Sequence, residues 1–345
     1  GSSASDSASC VGFYLTAFLY TTHWLSRLQQ QHADLGWHAE GVVQLLTPAA
    51  QVALARLALP TSILAPLDAP ALVEVIGSVA GPSTGVLYAQ AGWLQPRPLC
   101  RALLQQYPQI QLRTSTSIEA MDYSDGQWQL RQGTAVVATA PVVVLTNGHE
   151  LRRLLPEYAE SVQAVRGQLS YCQAPGQGLT RPVCYDGYVI PLGDGRYCLG
   201  ASYDRDSDDT ALRAADQQRN LAALHAALPQ FTCLPSAAGR VAFRATTRDH
   251  LPLIGAVPDP EFYKRHYGDL RHGRPAHGYP PAAYRPGLYL NSGHGSRGLT
   301  SCPLAAEMLA SMIHATPLPV AEELRLATHP ARFRVRALKR RRSGE

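Results

Sequence analysis

The spacing of apolar positions along the chain predicts a mixture of helices and strands. Between residues 11 and 31 apolar side chains recur every three to four residues, which predicts a helix with Phe13, Ala17 and Leu28 on its apolar face. Short apolar runs predict strands at 41–46, 72–76, 86–89 and 110–113. Further helices are predicted at 51–59, 99–106 and 211–228.

Two glycine-containing turns predict hairpins. Asp125–Gly126 separates apolar runs at 118–123 and 127–131, and Gly193–Asp194–Gly195 separates runs at 188–192 and 196–202. Such turns need positive φ angles that glycine and aspartate tolerate. The pattern then predicts a strand followed by a loop over 241–256, and an irregular segment over 258–285.

The run Pro141–Leu145, PVVVL, is apolar without alternation, which is expected of a strand covered on both faces. It leads into Thr146–Asn147–Gly148, a tight turn at the end of a strand. Open α/β sheets commonly bind ligands at that end of their strands. Asn147 and Gly148 are therefore expected to border a ligand.

A second glycine-rich turn closes the chain's last strand–turn–helix unit. Leu288–Leu290 reads as a strand, and Gly293, Gly295 and Gly298 have G-x-G-x-x-G spacing before a helix in which Pro303 suits the first turn. A dinucleotide fingerprint would open a βαβ unit and have an acidic residue about 20 positions later. The motif instead predicts a closing strand, loop and helix that touch a ligand bound elsewhere in the fold, at a helix N-terminus that favours negative charge.

These elements predict an α/β plus α+β protein of about two domains, since the chain has 345 residues. Covered strands and helices alternate along the chain with antiparallel hairpins, so one α/β domain is expected to be interrupted by a sheet domain. The predicted α/β segments are 1–36, 92–160 and 287–320. The predicted sheet segments are 37–91 and 161–286, and residues 321–345 form a basic tail.

Composition places the chain among globular proteins, with 46% hydrophobic and 17% charged residues. No apolar run approaches the roughly 18 residues of a membrane span, and no signal peptide is recognisable, so no membrane contact is expected. The seven cysteines are odd in number and form no C-x-x-C, which favours a reducing cytoplasm over a disulfide framework or a metal cage. The net charge of +5 permits nucleic acid as a partner without requiring it.

The segment 243–259, FRATTRDHLPLIGAVPD, concentrates charged residues ahead of a Pro- and Gly-containing loop. Arg244 and Arg248 could bind a carboxylate or phosphate in a bidentate way, or Arg248 and Asp249 could form a turn with structural hydrogen bonds. Tyr185 and Tyr188 precede a hairpin, where they could line a pocket or form a cross-strand aromatic cluster.

Basic and aromatic residues interleave over 261–285, which suits stacking on unpaired bases beside phosphate contacts, or a solvated surface loop. The residues concerned are Lys264, Arg265, Arg271, Arg274, Arg285, Tyr263, Tyr267, Tyr279 and Tyr284. The tail from 332 to 342 is either an electrostatic handle for RNA or a disordered end. His294 is interpreted as a hydrogen-bonding residue, because no Ser-His-Asp order, P-loop or H-E-x-x-H is present.

Several stretches, in order along the chain, resemble one family: the FAD-dependent C-terminal half of the MnmC bifunctional proteins of tRNA 5-methylaminomethyl-2-thiouridine biosynthesis, in the D-amino-acid oxidase or glycine oxidase superfamily. TRDHLP followed by GSRGL is the most specific pair. The stretches are GWLQPRPLCRALL (92–104), PVVVLTNGHE (141–150), VCYDGYVIP (183–191), LGASYDRDSDDT (199–210), RATTRDHLPLIGAVPD (244–259), GSRGLTSCPLAAEMLA (295–310) and HPARFRVRALK (329–339).

The resemblance implies a D-amino-acid oxidase-like fold, in which an incomplete Rossmann-like FAD-binding domain is interleaved with an antiparallel-sheet substrate domain. FAD would take a hydride from the methylene between amine and carboxylate of 5-carboxymethylaminomethyl-(2-thio)uridine at the tRNA wobble position, releasing glyoxylate and leaving an aminomethyl group. Arg248 would hold the substrate carboxylate, with Arg297 or Arg244 second, and Tyr185 or Tyr188 would wall the pocket. The cofactor residues would be Asn147, Gly148, Gly293, Gly295, Ser296, Arg297, Gly298, Leu299 and Thr300.

The family opens with a strand, a G-x-G-x-x-G turn and a helix, for which nothing before Gly12 offers a counterpart. The N-terminal glycine loop and a methyltransferase domain are therefore expected to be missing from this chain. Two alternatives stay open. One is a small-molecule amine or amino-acid oxidase of the glycine or sarcosine oxidase kind, and the other is an inactive truncated form that binds tRNA.

Overall fold

A computed structural model describes residues 4–55, 57–77, 84–205, 207–272 and 278–340. The chain divides into two compact units that alternate along the sequence. Unit 1 comprises 1–23, 111–164 and 244–345, and unit 2 comprises 24–110 and 165–243. No helix among the described residues is long and apolar enough to cross a membrane.

Unit 1 contains two three-stranded sheets and most of the chain's C-terminal helices. One sheet has the order β13–β14–β7, with β14 antiparallel to β13 and parallel to β7, and the other is the antiparallel meander β4–β5–β6. The strands are β4 Ala120–Ser124, β5 Gln127–Gln132, β6 Ala135–Ala140, β7 Val143–Leu145, β13 Leu253–Pro258 and β14 Tyr284–Ser292. The helices are α5 Leu151–Leu154, α7 Pro260–Tyr267, α8 Gly298–His314, α9 Glu322–Thr328 and α10 Arg332–Arg340.

Unit 2 contains an eight-stranded, mostly antiparallel sheet of order β12–β8–β11–β10–β9–β1–β3–β2, in which β1 and β9 run parallel. The ends of β8 and β12, and the first part of helix α1 (Ala4–Gln31), belong to unit 1. The strands are β1 Val42–Leu45, β2 Ala65–Leu67, β3 Gly85–Tyr88, β8 Val162–Gln173, β9 Val183–Tyr185, β10 Gly187–Gly193, β11 Arg196–Gly200 and β12 Leu234–Thr247. The helices are α2 Pro48–Ala55, α3 Ala69–Ile76, α4 Pro96–Gln106 and α6 Ala214–Ala227.

Both predicted hairpins are confirmed. Asp125 and Gly126 have φ angles of 53° and 77° between β4 and β5, and Asp194 and Gly195 have φ angles of 54° and 68° between β10 and β11. These are the left-handed conformations that hairpin turns require. The closing strand and helix are confirmed as β14 and α8.

Several local predictions are wrong. Residues 72–76 form the end of helix α3 instead of a strand, because the Asp68 side chain accepts a hydrogen bond from the N–H of Ala71 and caps the helix. Residues 110–113 form no strand, whereas the end of the segment 241–256, predicted as a loop, belongs to β13. Residues 260–267 are helical, since Asp259 caps α7 through the N–H groups of Glu261 and Phe262.

Two expectations about exposure and helix position also fail. Val144 is 38% exposed between the buried Val143 and Leu145, so β7 alternates and is not covered on both faces. Pro303 lies inside α8, five residues after its first residue, so it removes an interior N–H donor instead of occupying the first turn.

The division into units differs from the predicted domain bounds at four places, of which the two shorter are 24–36, which belong to unit 2, and 161–164, which belong to unit 1. Residues 92–110 belong to unit 2, where Leu99 and Ala102 of α4 pack against Leu25, Leu28 and Leu35. Residues 244–286 belong to unit 1, because β13 pairs with β14. The assignment of an FAD-binding and a substrate domain stays a prediction.

Candidate active site

The glycine turn between β14 and α8 lies in unit 1 and is packed too tightly for side chains at its first position. Gly293 has a φ of 77°, and a Cβ there would lie 2.7 Å from the Cγ2 atom of Thr247. Gly295 has a φ of 58°, and its N–H donates to the carbonyl oxygen of Ala245 at 2.7 Å. The sequence therefore uses glycine where the backbone is left-handed and where another segment approaches closely.

His294 fixes this turn from inside. Its Nε2 lies 2.7 Å from Oδ1 of Asn291, and its Nδ1 lies 2.7 Å from Oγ of Ser301. Burial lowers the pKa of His294 to about 4, so the ring is neutral near pH 7. The predicted hydrogen-bonding role of His294 is confirmed by these contacts.

Two further segments of unit 1 meet the glycine turn. Residues 244–250 pair with it through the Ala245 carbonyl and through an isolated bridge between Thr246 and His294. The turn that follows β7 joins it because the Ser292 hydroxyl donates to the carbonyl oxygen of Gly148 at 2.9 Å. Gly148 has a φ of 60°. The predicted Asn147–Gly148 turn and the closing glycine turn are thus neighbours.

The N-terminus of α8 is open to a ligand. Arg297 occupies the N-cap position without making a side-chain cap, and the first turn has no acidic residue. The leading N–H groups of a helix lack partners inside the helix and carry its positive dipole end. Ser296 and Arg297 are exposed, and Leu299 is 46% exposed. A ligand with an anionic group beside a flat apolar surface fits this combination of a helix N-terminus and an exposed apolar side chain.

Tyr14 of α1 covers part of the same region. The Arg297 guanidinium lies 4.6 Å above the Tyr14 ring, and the Tyr14 hydroxyl donates to the carbonyl oxygen of His250 at 2.6 Å. Burial raises the pKa of Tyr14, although the charge of Arg297 opposes the rise. Sequence reasoning missed Tyr14, because an aromatic residue on a helix face is ordinarily a core residue.

Arg248 and Asp249 are consecutive in the loop after β12, but their side chains have different surroundings. Arg248 is exposed and makes no hydrogen bond or ion pair within the part of the chain that the structure describes. Asp249 instead accepts from Arg332 at both carboxylate oxygens, at 2.9 Å each, and from Arg336 at 2.7 Å. His250 follows with a φ of 60°. The alternative of a structural turn is right for Asp249, which accepts from the N–H of Leu251 at 3.4 Å, and its charged partners come from α10.

Arg332 is a buried structural cation. It also donates to the carbonyl oxygens of Leu251 and Pro252, at 2.6 and 3.0 Å, and is 7% exposed. Burial alone would raise the pKa of Asp249, but the hydrogen bonds and charges of Arg332 and Arg336 outweigh burial and lower it. We call this arrangement the Asp249 clamp. It corrects, for residues 332–340, the expectation that the segment 332–342 acts only as an RNA handle or forms a disordered end.

The basic and aromatic residues of the segment 261–285 also differ from the predictions in their exposure and contacts. Tyr263 and Tyr267 are 3% and 9% exposed and pack with Leu338 of α10, so they are not available to stack on bases. The solvated-loop alternative is equally wrong for 260–267. Arg285 is paired with Glu157 at 2.6 Å. The exposed cations are Lys264, Arg265, Arg271, Lys339 and Arg340, whereas Arg274, Arg341 and Arg342 lie outside the described residues.

The other predicted substrate residues divide between the units. Arg244 is half-buried in unit 1, next to the Ala245 carbonyl that holds the glycine turn. Tyr185 belongs to unit 2, where it packs against the main apolar core and burial raises its pKa. Tyr188 pairs across the strand with Gly200. Their roles in a pocket stay predictions.

Unit 1, which contains this strand, glycine turn and helix, is interrupted twice along the chain by unit 2, and the chain as a whole matches a class of flavin-dependent oxidoreductases. A family model described as FAD dependent oxidoreductase (DAO) matches residues 8–312. The chain belongs to this FAD-dependent oxidoreductase family. The match ends before α9 and α10, so the helix that forms the Asp249 clamp lies beyond it.

Curated relatives match over nearly the whole chain. The MnmC bifunctional protein of tRNA 5-methylaminomethyl-2-thiouridine biosynthesis from Pseudomonas entomophila is 36% identical over 94% of this chain and 51% of its own length. The MnmC protein from Chromobacterium violaceum is 34% identical over 95% of this chain and 51% of its own length. The chain thus spans about half the length of these relatives.

Solved structures show the same fold. Glycine oxidase from Geobacillus kaustophilus superimposes with a TM-score of 0.72 at 18% identity, covering 92% of this chain and 82% of that chain. L-Proline dehydrogenase from P. horikoshii superimposes with a TM-score of 0.74 at 12% identity, covering 92% of this chain and 83% of that chain. The predicted fold class is confirmed.

The residues present fit FAD, the cofactor of the family. The left-handed Gly293 and Gly295 add no side chains to the turn, the N-terminus of α8 has no side-chain cap, and exposed Leu299 offers apolar contact. Ser296, Gly298 and Thr300 complete the predicted set on the same turn and helix end. These residues would hold the cofactor, with Asn147 and Gly148 beside them.

Proposed function

We propose that this chain is the oxidase part of a tRNA wobble-uridine modification enzyme. The substrate is 5-carboxymethylaminomethyl-(2-thio)uridine, and the products are 5-aminomethyl-(2-thio)uridine and glyoxylate. The observation that carries the proposal is the 34–37% identity, over at least 93% of this chain, to proteins named for tRNA 5-methylaminomethyl-2-thiouridine biosynthesis. Their function in tRNA also suggests a cytoplasmic location.

When bound, FAD supplies the two-electron oxidation of the substrate's C–H bond next to nitrogen. The protein's own contribution is position and charge. The N-terminus of α8 stabilises negative charge that develops next to it, because its leading N–H groups are uncapped. The tight packing of Gly293, His294 and Gly295 keeps these groups in place during the reaction.

An arginine near the glycine turn holds the substrate carboxylate in this proposal. Arg248 is supported by its unpaired, exposed guanidinium on a loop that the Asp249 clamp holds rigid. Arg244 is supported by partial burial beside the Ala245 carbonyl, since a partly desolvated guanidinium binds carboxylate more strongly. Arg297 is supported by its place at the N-cap of α8.

Replacing each of the three arginines by methionine, one at a time, ranks their contributions to binding of the substrate carboxylate. Loss of a bidentate carboxylate contact is expected to raise KM about 10- to 100-fold, as removal of a charged hydrogen bond costs about 1.5–3 kcal/mol. The substitution Arg152→Met removes an exposed arginine of α5 and serves as the control. If none of the three substitutions raises KM above the control, the carboxylate proposal is wrong.

Exposed cations on α7 and α10 support an RNA substrate. Lys339 and Arg340 extend from the solvent side of the helix whose other side carries Arg332 and Leu338. Cations of this kind attract phosphate and make binding weaken with salt. The wobble base would leave the anticodon stack to reach the reacting centre.

The first experiment is to add FAD to the chain, remove free FAD by gel filtration, and record the visible spectrum. Retained flavin absorbance is expected, and the loaded protein should release glyoxylate from undermodified tRNA. A colourless protein would mean that this chain alone is not the oxidase. A yellow protein that oxidises glycine or sarcosine but not tRNA would instead identify a small-molecule amine oxidase.

A further inference from the structure

Three exposed arginines of unit 2 line one cavity of about 540 Å3 that is wide open to solvent. Arg97 and Arg101 come from α4, and Arg240 comes from β12. No Asp or Glu is among the residues that line this cavity. We call it the three-arginine cavity.

Among the residues that the structure describes, none is a partner of the three guanidinium groups. No hydrogen bond or ion pair joins Arg97, Arg101 or Arg240 to another side chain or to a carbonyl oxygen there. Each guanidinium carries five N–H donors in a planar fork. The lining of the cavity therefore carries unpaired N–H donors and three positive charges.

The arrangement is unfavourable for a protein without a ligand. Arg97 lies in the first turn of α4, where the positive end of the helix dipole disfavours cations, and Gln95 gives no side-chain cap. Arg101 is four residues further on, and like charges at this spacing destabilise a helix. An anion in the cavity would offset these repulsions, because it attracts the guanidinium groups and the helix N-terminus.

We propose that the three-arginine cavity is a phosphate-binding site. Arginine matches the tetrahedral oxygens of phosphate with two parallel hydrogen bonds, and the cavity is large enough for one or two phosphate groups. The phosphate belongs either to an RNA backbone or to a small phosphorylated molecule. The site lies entirely in unit 2 and needs none of the residues assigned to oxidation, so the inference does not depend on the proposed function.

The test compares the triple variant Arg97→Gln, Arg101→Gln, Arg240→Gln with a control that loses the same charge. The control is Arg27→Gln, Arg196→Gln, Arg205→Gln, three exposed arginines of unit 2 that do not line the cavity. Binding of a short RNA hairpin and of inorganic tripolyphosphate is measured by calorimetry at several salt concentrations. Melting temperature is recorded for every protein without ligand.

The wild type and the control are expected to bind, and the triple variant is expected to bind at least about tenfold more weakly. For the hairpin, the slope of log affinity against log salt should fall by about 2, as two or three phosphate contacts are lost. The unliganded triple variant should melt at the same temperature as the wild type or higher, because repulsion among the arginines is removed.

The two probes identify the source of the phosphate. Weaker binding of the hairpin alone assigns the cavity to an RNA backbone, and weaker binding of tripolyphosphate alone assigns it to a small phosphorylated ligand. Weaker binding of both supports a general phosphate site. The proposal is overturned if the wild type binds neither probe, or if the triple variant and the control bind them equally.

Discussion

Arg166 in unit 2 and Arg332 in unit 1 are both buried arginines paired with an aspartate, but they stabilise different parts of the structure. Arg166 is 0% exposed and donates to Asp216 of α6 and to the carbonyl oxygens of Asp209 and Ala211. Arg332 donates a hydrogen bond to Asp249, the residue next to Arg248. The first pair stabilises a sheet and helix, whereas the second also fixes a loop of the candidate active site.

The two buried, paired arginines also differ from the unpaired arginines of the protein. Arg166 and Arg332 have every guanidinium nitrogen in contact with an acceptor, whereas Arg97, Arg101, Arg240 and Arg248 have no partner among the described residues. A buried pair contributes to stability mainly because breaking it strands a charge. An exposed unpaired arginine contributes little to stability and is free to bind a ligand.

The largest expected effect is the loss of Arg166. The substitution Arg166→Met leaves the 4% exposed Asp216 with only Arg219 and should lower the free energy of unfolding by about 3–5 kcal/mol. Urea denaturation measures this change. The double variant Arg166→Met, Asp216→Leu should recover most of it, and a single variant as stable as the wild type would show that the pair is dispensable.

Loss of the Asp249 carboxylate should cost less and act on the active site as well. Asp249→Asn removes the charge partner of Arg332 and Arg336 and should lower the free energy of unfolding by about 2–3 kcal/mol at pH 7. KM should rise if the clamp positions Arg248. Equal KM values for the variant and the wild type would confine the clamp to a structural role.

The same variant has a predicted pH dependence. The pKa of Asp249 is lowered in the folded protein, so its contribution is fully present above the unfolded pKa of about 3.9 and is lost as pH falls through the folded pKa. The stability difference between wild type and Asp249→Asn should therefore shrink below about pH 4. A difference that stays constant into this range would contradict the ion-pair account.

His294 should give a dependence at higher pH. Its folded pKa of about 4 lies below the unfolded value, so its contribution is fully present above about pH 6.5 and is lost as pH falls toward 4. Relative to His294→Gln, the wild type should lose about 2.5 kcal/mol across this interval. Parallel stability curves for the two proteins would mean that His294 is not buried in its neutral form.

The smallest effect compares two glycines of one turn. A methyl group at Gly293 meets Thr247 at 2.7 Å, whereas one at Gly295 meets Thr246 at 3.6 Å, and both backbones are left-handed. Gly293→Ala should cost more than Gly295→Ala, whose cost is the left-handed backbone alone, about 1–2 kcal/mol. FAD retention and thermal melting of both variants check this order, which equal losses would refute.

Local sequence signals predicted the elements whose cause is local. The turns at Asp125–Gly126 and Gly193–Gly195, and the strand, glycine turn and helix after 284, all follow from residues that tolerate positive φ. Residues 72–76 were misjudged because apolar branched residues suggest a strand, whereas the Asp68 cap and the buried pair Leu72 and Ile76 at helical spacing decide the outcome. That spacing was readable in the sequence.

The parts of the site that depend on distant contacts could not be predicted from the chain alone. Nothing in the local sequence of Arg332 indicates that Asp249, 83 residues earlier, is its partner. Tyr263 and Tyr267 looked available for stacking until their burial under α10 was known. The candidate cofactor residues on the glycine turn came from the family resemblance, and their role stays a prediction.

The central claim is best tested by anaerobic titration of the FAD-loaded protein with tRNA that carries 5-carboxymethylaminomethyl-uridine. The account predicts that the visible flavin absorbance bleaches as tRNA is added and that one glyoxylate is released for each wobble base. Fully modified tRNA from the same source should leave the spectrum unchanged. Absorbance that persists with the substrate tRNA but bleaches with glycine or sarcosine would contradict the account.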